Sequence, residues 1–396
     1  MLEIAACVKA LWSPRSRTHP ASACANDERQ YFLAKPSSPV SFSCYSGHAF
    51  ADRWADQMLC AASRKMENLV RLPLFLIAAF ALLVTPSLAQ TAPLPVLTVG
   101  VQESGTVQWE IQTIKALGLD TRHGLDLQIR PLADSRAGQI ALQAGAVDVI
   151  LSDFVWVSIQ RHQGNGVTMV PHSLAVGGLM LAPDSGIASV QDLKGTTIAV
   201  AGGPVDKSWV ILQAYYNKLT GATLADDVTA NFGAAPLVNE LLAQGRVSSG
   251  LNFWHFNARA KAAGLKELIS VADMLAALGV SEQPPLLGWA FTDATAAAKT
   301  PALKAFLDAS FDAKAILLND DAAWNGLRDV MGAAEDATLF AQLRDDYRAG
   351  IVTHYNPDQT DAAAQAFALM ARFGGSDLVG QNPTLAPGTF WQGYRK

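Results

Sequence analysis

The sequence predicts an α/β protein with two lobes around a hinge and a central cleft. Two series of alternating strand and helix patterns follow each other along the chain, and a strong strand pattern returns after the second series. Short connections between such elements are typical of mostly parallel sheets that helices cover on both faces. The returning strand implies that one lobe is built from two separated segments, so two connections cross between the lobes and form a hinge. We expect lobe 1 at 95–182 plus 286–396 and lobe 2 at 190–280.

The first series begins with a strand at 97–101, followed by a helix whose apolar residues recur at helical spacing from Val107 to Leu117. In open α/β sheets, ligands lie beyond the carboxyl ends of the strands, so the turns after these strands are the expected ligand positions. The other strands predicted in this series are 125–129, 147–151, 167–171 and 178–181, with helices at 134–144 and 153–163.

The second series begins with a β-branched strand at 196–200, which Gly202, Gly203 and Pro204 end before the next helix. Free N–H groups and the positive end of the helix dipole at such a turn suit a small polar ligand. An ordinary strand–helix connection is the alternative. The other strands predicted in this series are 229–232, 249–253 and 266–269, with helices at 236–244 and 255–263. The strand that returns after this series is 286–292, and helices are predicted after it at 301–319, 321–331, 334–349 and 359–373.

The segment 66–89 has the pattern of a secretory signal peptide. Arg71 precedes an apolar run at 72–84, and Ser87 and Ala89 fit the small-residue positions of a cleavage site. The apolar run is short for a membrane span, although an N-terminal membrane anchor is the alternative. The pattern predicts an exported, periplasmic protein.

All four cysteines precede Met66, at positions 7, 24, 44 and 60. A signal peptide should begin a chain, and a disulfide framework upstream of a working signal is implausible. We therefore expect that translation starts at Met66 and that 1–65 is a non-native upstream extension. The mature chain from Gln90 would then contain 21 basic and 29 acidic residues, a net charge of −8. This balance argues against a nucleic-acid partner or an anionic membrane surface.

Two stretches, 123–154 and 183–203, contain motifs with a known resemblance. The first contains GAVD at 145–148, and the second contains DLKG at 192–195 within SGIASVQDLKGTTIAV. Together they resemble the periplasmic solute-binding proteins of the nitrate/sulfonate/taurine (SsuA/THI5-like) class of ABC transporters. The resemblance covers roughly 95–320, and the class also includes binders of thiamine-pyrimidine precursors.

This resemblance implies a fold and a function. The fold would be periplasmic-binding-protein-like type II, in which two α/β lobes close on a ligand. The function would be capture of a small organic molecule (an aliphatic sulfonate, taurine, nitrate or a heterocyclic precursor) and its delivery to the membrane permease of an ABC importer. We expect no catalysis, no cofactor, no metal and no nucleic-acid partner, and we expect a monomer.

Mapping the strand-end turns of this class onto the chain predicts the ligand-binding residues. They are Gln108, Trp109, Ser152, Asp153, Phe154, Gly202, Gly203, Asp206, Ser208, Asn252, Trp254 and His255, with Trp289 as a weaker candidate. Each has a structural alternative. The tryptophans are either cleft walls or core residues, Ser152 and Asp153 either bind ligand or cap a helix, and His255 either donates to an anion or simply begins a helix.

Asp206 departs from the small or hydroxyl residues that this class usually presents at the same helix. A carboxylate in the first turn uses the helix dipole itself and repels a sulfonate. Lys207 does little to offset it, because adjacent helix positions point apart. A cationic, zwitterionic or neutral heterocyclic ligand therefore competes with a simple anion as the expected solute.

Two other functions remain open. The first is a ligand-binding sensor or accessory module of a periplasmic signalling system. The second is an enzyme of the pyrimidine-synthase type, which shares this fold and needs histidine and cysteine. The sequence contains no G-x-S-x-G, P-loop or G-x-G-x-x-G motif and no histidines at metal-ligand spacing, and no cysteine follows position 60, so catalysis has little support.

Overall fold

Two five-stranded sheets organise the protein. The computed structural model describes residues 93–396. The predicted signal peptide at 66–89, the predicted extension at 1–65 and all four cysteines lie outside the described residues.

The first sheet belongs to lobe 1. Its strands are β1 (Val96–Gln102), β2 (Asp126–Leu132), β3 (Val149–Asp153), β4 (Val167–Ser173) and β10 (Leu287–Thr292). Their order across the sheet is β2-β1-β3-β10-β4. The strands β1, β2 and β3 are parallel, whereas β10 is antiparallel to both of its neighbours.

The second sheet belongs to lobe 2. Its strands are β5 (Gly178–Leu181), β6 (Thr197–Ala201), β7 (Thr229–Gly233), β8 (Ser249–Asn252) and β9 (Lys266–Ser270). Their order is β7-β6-β8-β5-β9. Here β6, β7 and β8 are parallel, and β5 is antiparallel to β8 and β9. The predicted α/β class is confirmed. Mostly parallel pairing is not, because two of the four strand pairs in each sheet are antiparallel.

The two sheets share one plan. In each sheet, the fourth strand in the order, β10 or β5, directly follows a segment that crosses from the other lobe. The strand β5 follows β4 across residues 174–177, and β10 returns to lobe 1 after the last strand of lobe 2. The boundary predicted at 182 is therefore wrong. The segment 178–181 pairs in lobe 2, and sequence periodicity cannot assign a strand to one of two sheets.

Helices cover the sheets, and most begin at a capping side chain or a proline. Their bounds are α1 Val107–Ala116, α2 Leu119–Arg122, α3 Ser135–Gln143, α4 Phe154–His162, α5 Lys207–Thr220, α6 Leu224–Asp227, α7 Ala235–Ala243, α8 Trp254–Ala262, α9 Val271–Ala277, α10 Asp293–Ala298, α11 Thr300–Asn319, α12 Ala337–Ala349 and α13 Pro357–Val379. The helix predicted at 321–331 is instead a short 3₁₀ segment, Ala322–Leu327. Within residues 93–396, no helix combines the length and the apolarity that crossing a membrane requires.

The C-terminal helices connect the lobes. The helix α12 packs on α8 of lobe 2, and α13 packs on both α5 of lobe 2 and α4 of lobe 1. The expectation that 286–396 belongs to lobe 1 alone is therefore wrong for these helices. The apolar faces of α12 and α13 predict that these helices pack against the sheets or other helices. The order of elements along the chain does not predict which lobe they contact.

The acidic residues of the two sequence motifs have structural roles. Asp148 accepts a hydrogen bond from the Thr98 N–H at 2.8 Å and pairs with Lys299 at 2.7 Å, so it joins β1 to the residue that precedes α11. Asp192 accepts from the Ser189 N–H at 2.8 Å and completes a capping box at the turn before β6. These contacts explain why both motifs carry an aspartate without placing either carboxylate in a binding site.

Candidate functional site

A cleft of about 360 Å³ lies between the two lobes. Its walls follow the carboxyl ends of parallel strands in both sheets, namely β1 and β3 in lobe 1 and β6 and β8 in lobe 2. The crossing segments contribute Ala175, Val176, Leu286 and Leu287. The location agrees with the rule that ligands of α/β proteins lie beyond the carboxyl ends of strands.

Several predicted site residues line this cleft. They are Ser152, Asp153, Asp206, Ser208, Trp254 and His255. Their contact with a solute stays a prediction.

The aromatic residues Trp109 and Phe154 do not line the cleft, because both are in the core. Trp109 is 3% exposed and packs against Trp324. Phe154 is fully buried and packs between Phe367 and Phe390. Asp153 and Phe154 are adjacent at a strand end, but Asp153 lines the cleft and Phe154 packs in the core.

Gln108 and Asn252 are also outside the cleft lining, since their amides serve the backbone. Gln108 donates from Nε2 to the Gln102 carbonyl at 2.8 Å. Asn252 is 2% exposed and donates from Nδ2 to the Ala235 carbonyl at 2.9 Å. Its Oδ1 accepts from the Phe253 N–H at 2.8 Å, so it shapes the turn that presents the neighbouring cleft residues.

The glycine turn has a supporting role. Gly202 adopts a φ of 92°, which favours glycine, and a side chain there would contact the Asp206 carboxylate. Neither Gly202 nor Gly203 lines the cleft. Trp289, the weaker candidate, is 1% exposed and packs against His172 and Phe306 in lobe 1.

Asp206 caps the helix α5 with its own carboxylate. Its Oδ1 accepts from the backbone N–H groups of Ser208 at 2.9 Å and Trp209 at 3.3 Å. Burial raises the pKa of Asp206, while the charge of Lys207 and the two N–H donors act in the opposite direction. These N–H donors are therefore occupied by the protein's own carboxylate and are not free for an anionic ligand.

A salt bridge crosses the cleft. The Nζ atom of Lys207 in lobe 2 lies 3.4 Å from Oδ2 of Asp153 in lobe 1, with side chains 29% and 21% exposed. The other oxygen of Asp153, Oδ1, caps α4 by accepting from the Trp156 N–H at 2.9 Å. The sequence prediction considered Lys207 only beside Asp206. Its partner in the structure belongs to the other lobe, which local spacing does not reveal.

Trp254 begins α8 of lobe 2, and its ring also packs against lobe 1. Its ring makes an edge contact with Trp109 of lobe 1 at a centroid distance of 5.8 Å and lies 6.1 Å from the ring of Tyr347. Aromatic pairs at such distances are stabilised beyond simple burial. Trp254 is thus a cleft wall that is also joined to an aromatic cluster spanning the lobes.

His255 lines the cleft as an uncharged side chain. Burial and, second, the charge of Arg259 lower its pKa to about 4. The ring packs against Phe256 at a centroid distance of 4.5 Å. It therefore cannot offer a positive charge to an anion at neutral pH.

The sequence prediction missed part of the lining. Thr106, Ser135 and Gln139 contribute polar side chains from lobe 1. Ser135 and Gln139 lie four residues apart on α3, and this helical spacing is a signal that could have paired them. Gly177 on the crossing segment is also missed, and a Cβ there would meet the Asn252 carbonyl at 1.6 Å. Glycine is therefore required for this close approach.

Comparisons with known proteins agree with this fold. The family model described as NMT1/THI5 like matches residues 115–323. The periplasmic aliphatic sulphonate binding protein SsuA from Escherichia coli is similar over 75% of this chain and 98% of its own, with a TM-score of 0.61 and 17% identity. The alkanesulfonate-binding protein SsuA from Xanthomonas axonopodis pv. citri, solved bound to MOPS, is similar over 76% of this chain and 99% of its own, with a TM-score of 0.57 and 16% identity.

The same fold occurs in a protein with another activity. The desulfurization enzyme DSZB is similar over 74% of this chain and 97% of its own, with a TM-score of 0.51 and 13% identity. At such identities the likeness shows the fold alone. No curated protein matches the chain in sequence.

Proposed function

The chain belongs to the NMT1/THI5-like family, and we propose that it is a solute-binding protein that captures a small organic molecule between its lobes. One observation carries this proposal. A cleft of about 360 Å³ opens at the hinge, and side chains of both lobes line it. A ligand that contacts both lobes favours the closed conformation by its differential affinity for that state.

The charges around the cleft support an uncharged or zwitterionic solute over a simple anion. Among residues 93–396, Lys207 is the one cationic side chain in the lining of the cleft. Asp153 already neutralises its charge. Asp206 adds a further carboxylate, and His255 is neutral. A zwitterion can exchange with the Asp153–Lys207 pair, its cationic group binding Asp153 and its anionic group binding Lys207. An isolated anion leaves Asp153 without a partner.

We propose that the protein is exported through the segment 66–89 and delivers its solute to an ABC permease in the periplasm. The named functions of the SsuA neighbours support this role. We also propose that the protein binds its solute without catalysing a reaction. Burial lowers the pKa of His255, the histidine in the cleft, to about 4, which makes it a weak base, and no cysteine follows position 60. Permease and ATPase genes beside this one would support import over signalling.

A thermal-shift screen of the full chain tests the proposal, with ethanesulfonate, nitrate, taurine and pyrimidine as probes. Binding to the folded state adds RT ln(1 + [L]/Kd), or about 2.7 kcal/mol at one hundred times Kd. We expect pyrimidine or taurine to raise Tm most. If ethanesulfonate or nitrate raises Tm most, the charge argument is wrong while the binding function stands. If no small molecule raises Tm, solute binding itself is contradicted.

A further inference from the structure

A small recess adjoins the inner end of the cleft. Its volume is about 20 Å³, which is enough for one water molecule or one non-hydrogen atom of a ligand. The recess and the cleft share the lining residues Thr106, Leu151, Trp254 and Leu287. His172, Lys314 and Tyr347 also line the recess, and none of these three lines the larger cleft.

A buried charged network stands beside the recess. Lys314 is 2% exposed and Glu110 is fully buried, with Nζ and Oε2 2.7 Å apart. The same ammonium donates to Ser310 Oγ at 2.7 Å and lies 3.2 Å from His172 Nδ1. A lysine ammonium has three donors, so these contacts use all of them. The charge of Lys314 is balanced by Glu110, and no donor remains for a ligand.

This network determines which nitrogen of His172 carries the proton. A charged lysine only donates, so Nδ1 of His172 must accept from Lys314. The alternative partner of Nδ1, Glu110 Oε2, is 3.6 Å away and beyond hydrogen-bond distance. The proton of the neutral ring is therefore on Nε2.

His172 is also held in the neutral state. Burial and, second, the charge of Lys314 lower its pKa well below the usual value. The side chain is 5% exposed, and the hydrogen bond found for this ring within residues 93–396 is the one between Lys314 Nζ and Nδ1. His172 lines the one-atom recess, and its Nε2 is not among the fully enclosed side-chain atoms that lack a partner, so this N–H remains accessible to an acceptor atom that enters the recess.

We propose that the Nε2–H of His172 is a fixed, uncharged donor for one acceptor atom of the solute, either a ring nitrogen or a carbonyl oxygen. This inference rests on the proposed function and narrows its ligand class to solutes with an uncharged hydrogen-bond acceptor, of which heteroaromatic rings are the class tested below. Trp254 lines the same recess and supplies an aromatic face for the ring of the solute. Glu110, Ser310 and Lys314 are positioning residues, because they act on the solute only through the orientation of His172.

NMR of the full chain labelled with ¹⁵N-histidine tests the tautomer without any ligand. The variant H172Q identifies the His172 signals by their disappearance. We expect the pattern of the Nε2–H tautomer, unchanged from about pH 5.5 to about pH 8, where an ordinary histidine titrates. An Nδ1–H pattern, or a ring that titrates near its usual pKa, overturns the inference whatever the thermal-shift screen shows.

Two probes of similar shape then test the acceptor. Pyrimidine carries ring nitrogens and benzene does not. We expect millimolar pyrimidine to shift the Nε2-bound proton of His172 and benzene to leave it unchanged. If pyrimidine raises Tm but does not move this proton, the inference is wrong and the binding function stands. If neither compound binds, the inference that His172 donates to a heteroaromatic solute is overturned.

Affinity for pyrimidine in three variants completes the test. H172F removes the donor and should weaken binding roughly fivefold to tenfold, the net value of one hydrogen bond. H172Q offers an amide oxygen to Lys314 and an N–H to the recess, so it should recover most of that loss. H162Q is the matched control, because His162 is exposed and bonds to the Thr384 carbonyl far from the recess. Equal affinities in H172F and H162Q would contradict the proposal.

Discussion

The two lobes have the same sheet plan but bury different kinds of polar groups. Lobe 1 buries the charged side chains Glu110, Asp120 and Lys314. The sheet of lobe 2 and its own helices bury neutral amides instead, Asn252 and Asn257. Among residues 93–396, no charged side chain is buried in lobe 2.

One sheet topology thus supports two lobes with unlike buried polar groups. A buried ion pair requires fixed partners, because each charge is strongly destabilising without the other. Lobe 1 therefore places a rigid charged network beside the recess, whereas Asp153 is the charged residue that this lobe contributes to the cleft lining. Lobe 2 offers an aromatic and carboxylate wall, with Trp254 and Asp206, whose groups are held by a helix cap and ring packing.

The largest effect should come from breaking the charged network of lobe 1. K314M leaves Glu110 buried and unpaired, so the free energy of unfolding should fall by about 3–5 kcal/mol. The matched variant in lobe 2, N252A, loses neutral hydrogen bonds and should cost about 1–3 kcal/mol. Urea unfolding measures both. The double variant E110Q/K314M should recover part of the loss, and a K314M cost no larger than that of N252A would refute the contrast between the lobes.

The aromatic wall of lobe 2 should matter next, in affinity. W254A removes a ring that lines both the cleft and the recess, and binding of the compound that raises Tm most should weaken by about 2 kcal/mol. Isothermal titration measures the change. W391A is the control, since Trp391 packs against Phe291 and does not line the cleft. Unchanged affinity in W254A would mean that Trp254 serves only the packing between lobes.

Protonation of His255 should make lobe 2 sensitive to acid. Its pKa is about 4 in the folded chain and about 6.5 when unfolded. The unfolded state thus binds the proton first, so this contribution to stability is complete above about pH 6.5 and is lost as the pH falls to about 4. The slope should approach about 1.4 kcal/mol per pH unit within this window. Urea midpoints should show a flatter slope in H255N than in the wild type; equal slopes would contradict the assignment.

The smallest effect on stability should come from the salt bridge between the lobes. K207M removes a partly exposed pair and should change the free energy of unfolding by less than about 1 kcal/mol. It should nevertheless favour lobe opening, which a larger radius of gyration in solution scattering without solute would reveal. K299M is the control, because Lys299 pairs with Asp148 inside lobe 1. An increase in K299M equal to that in K207M would argue against a role for the pair in closure.

Much of the site could be located from the sequence, but not its polarity. The strand-end rule led to Ser152, Asp153, Asp206, Trp254 and His255, all of which line the cleft. It also selected Phe154, which is in the core. The rule identifies a turn, and the direction of each side chain within the turn depends on which neighbours pack around it.

Local sequence patterns were enough to predict the α/β class, the two series of elements and the strand-end turns. These features follow from local periodicity and from capping residues such as Asp153, whose partners lie within a few positions. Three features depend on the three-dimensional fold: β5 joins lobe 2, Lys207 pairs with Asp153, and Lys314 contacts His172. Each of these joins residues far apart in the chain. Their energies depend on burial and on distances between elements, and neither quantity is encoded in local spacing.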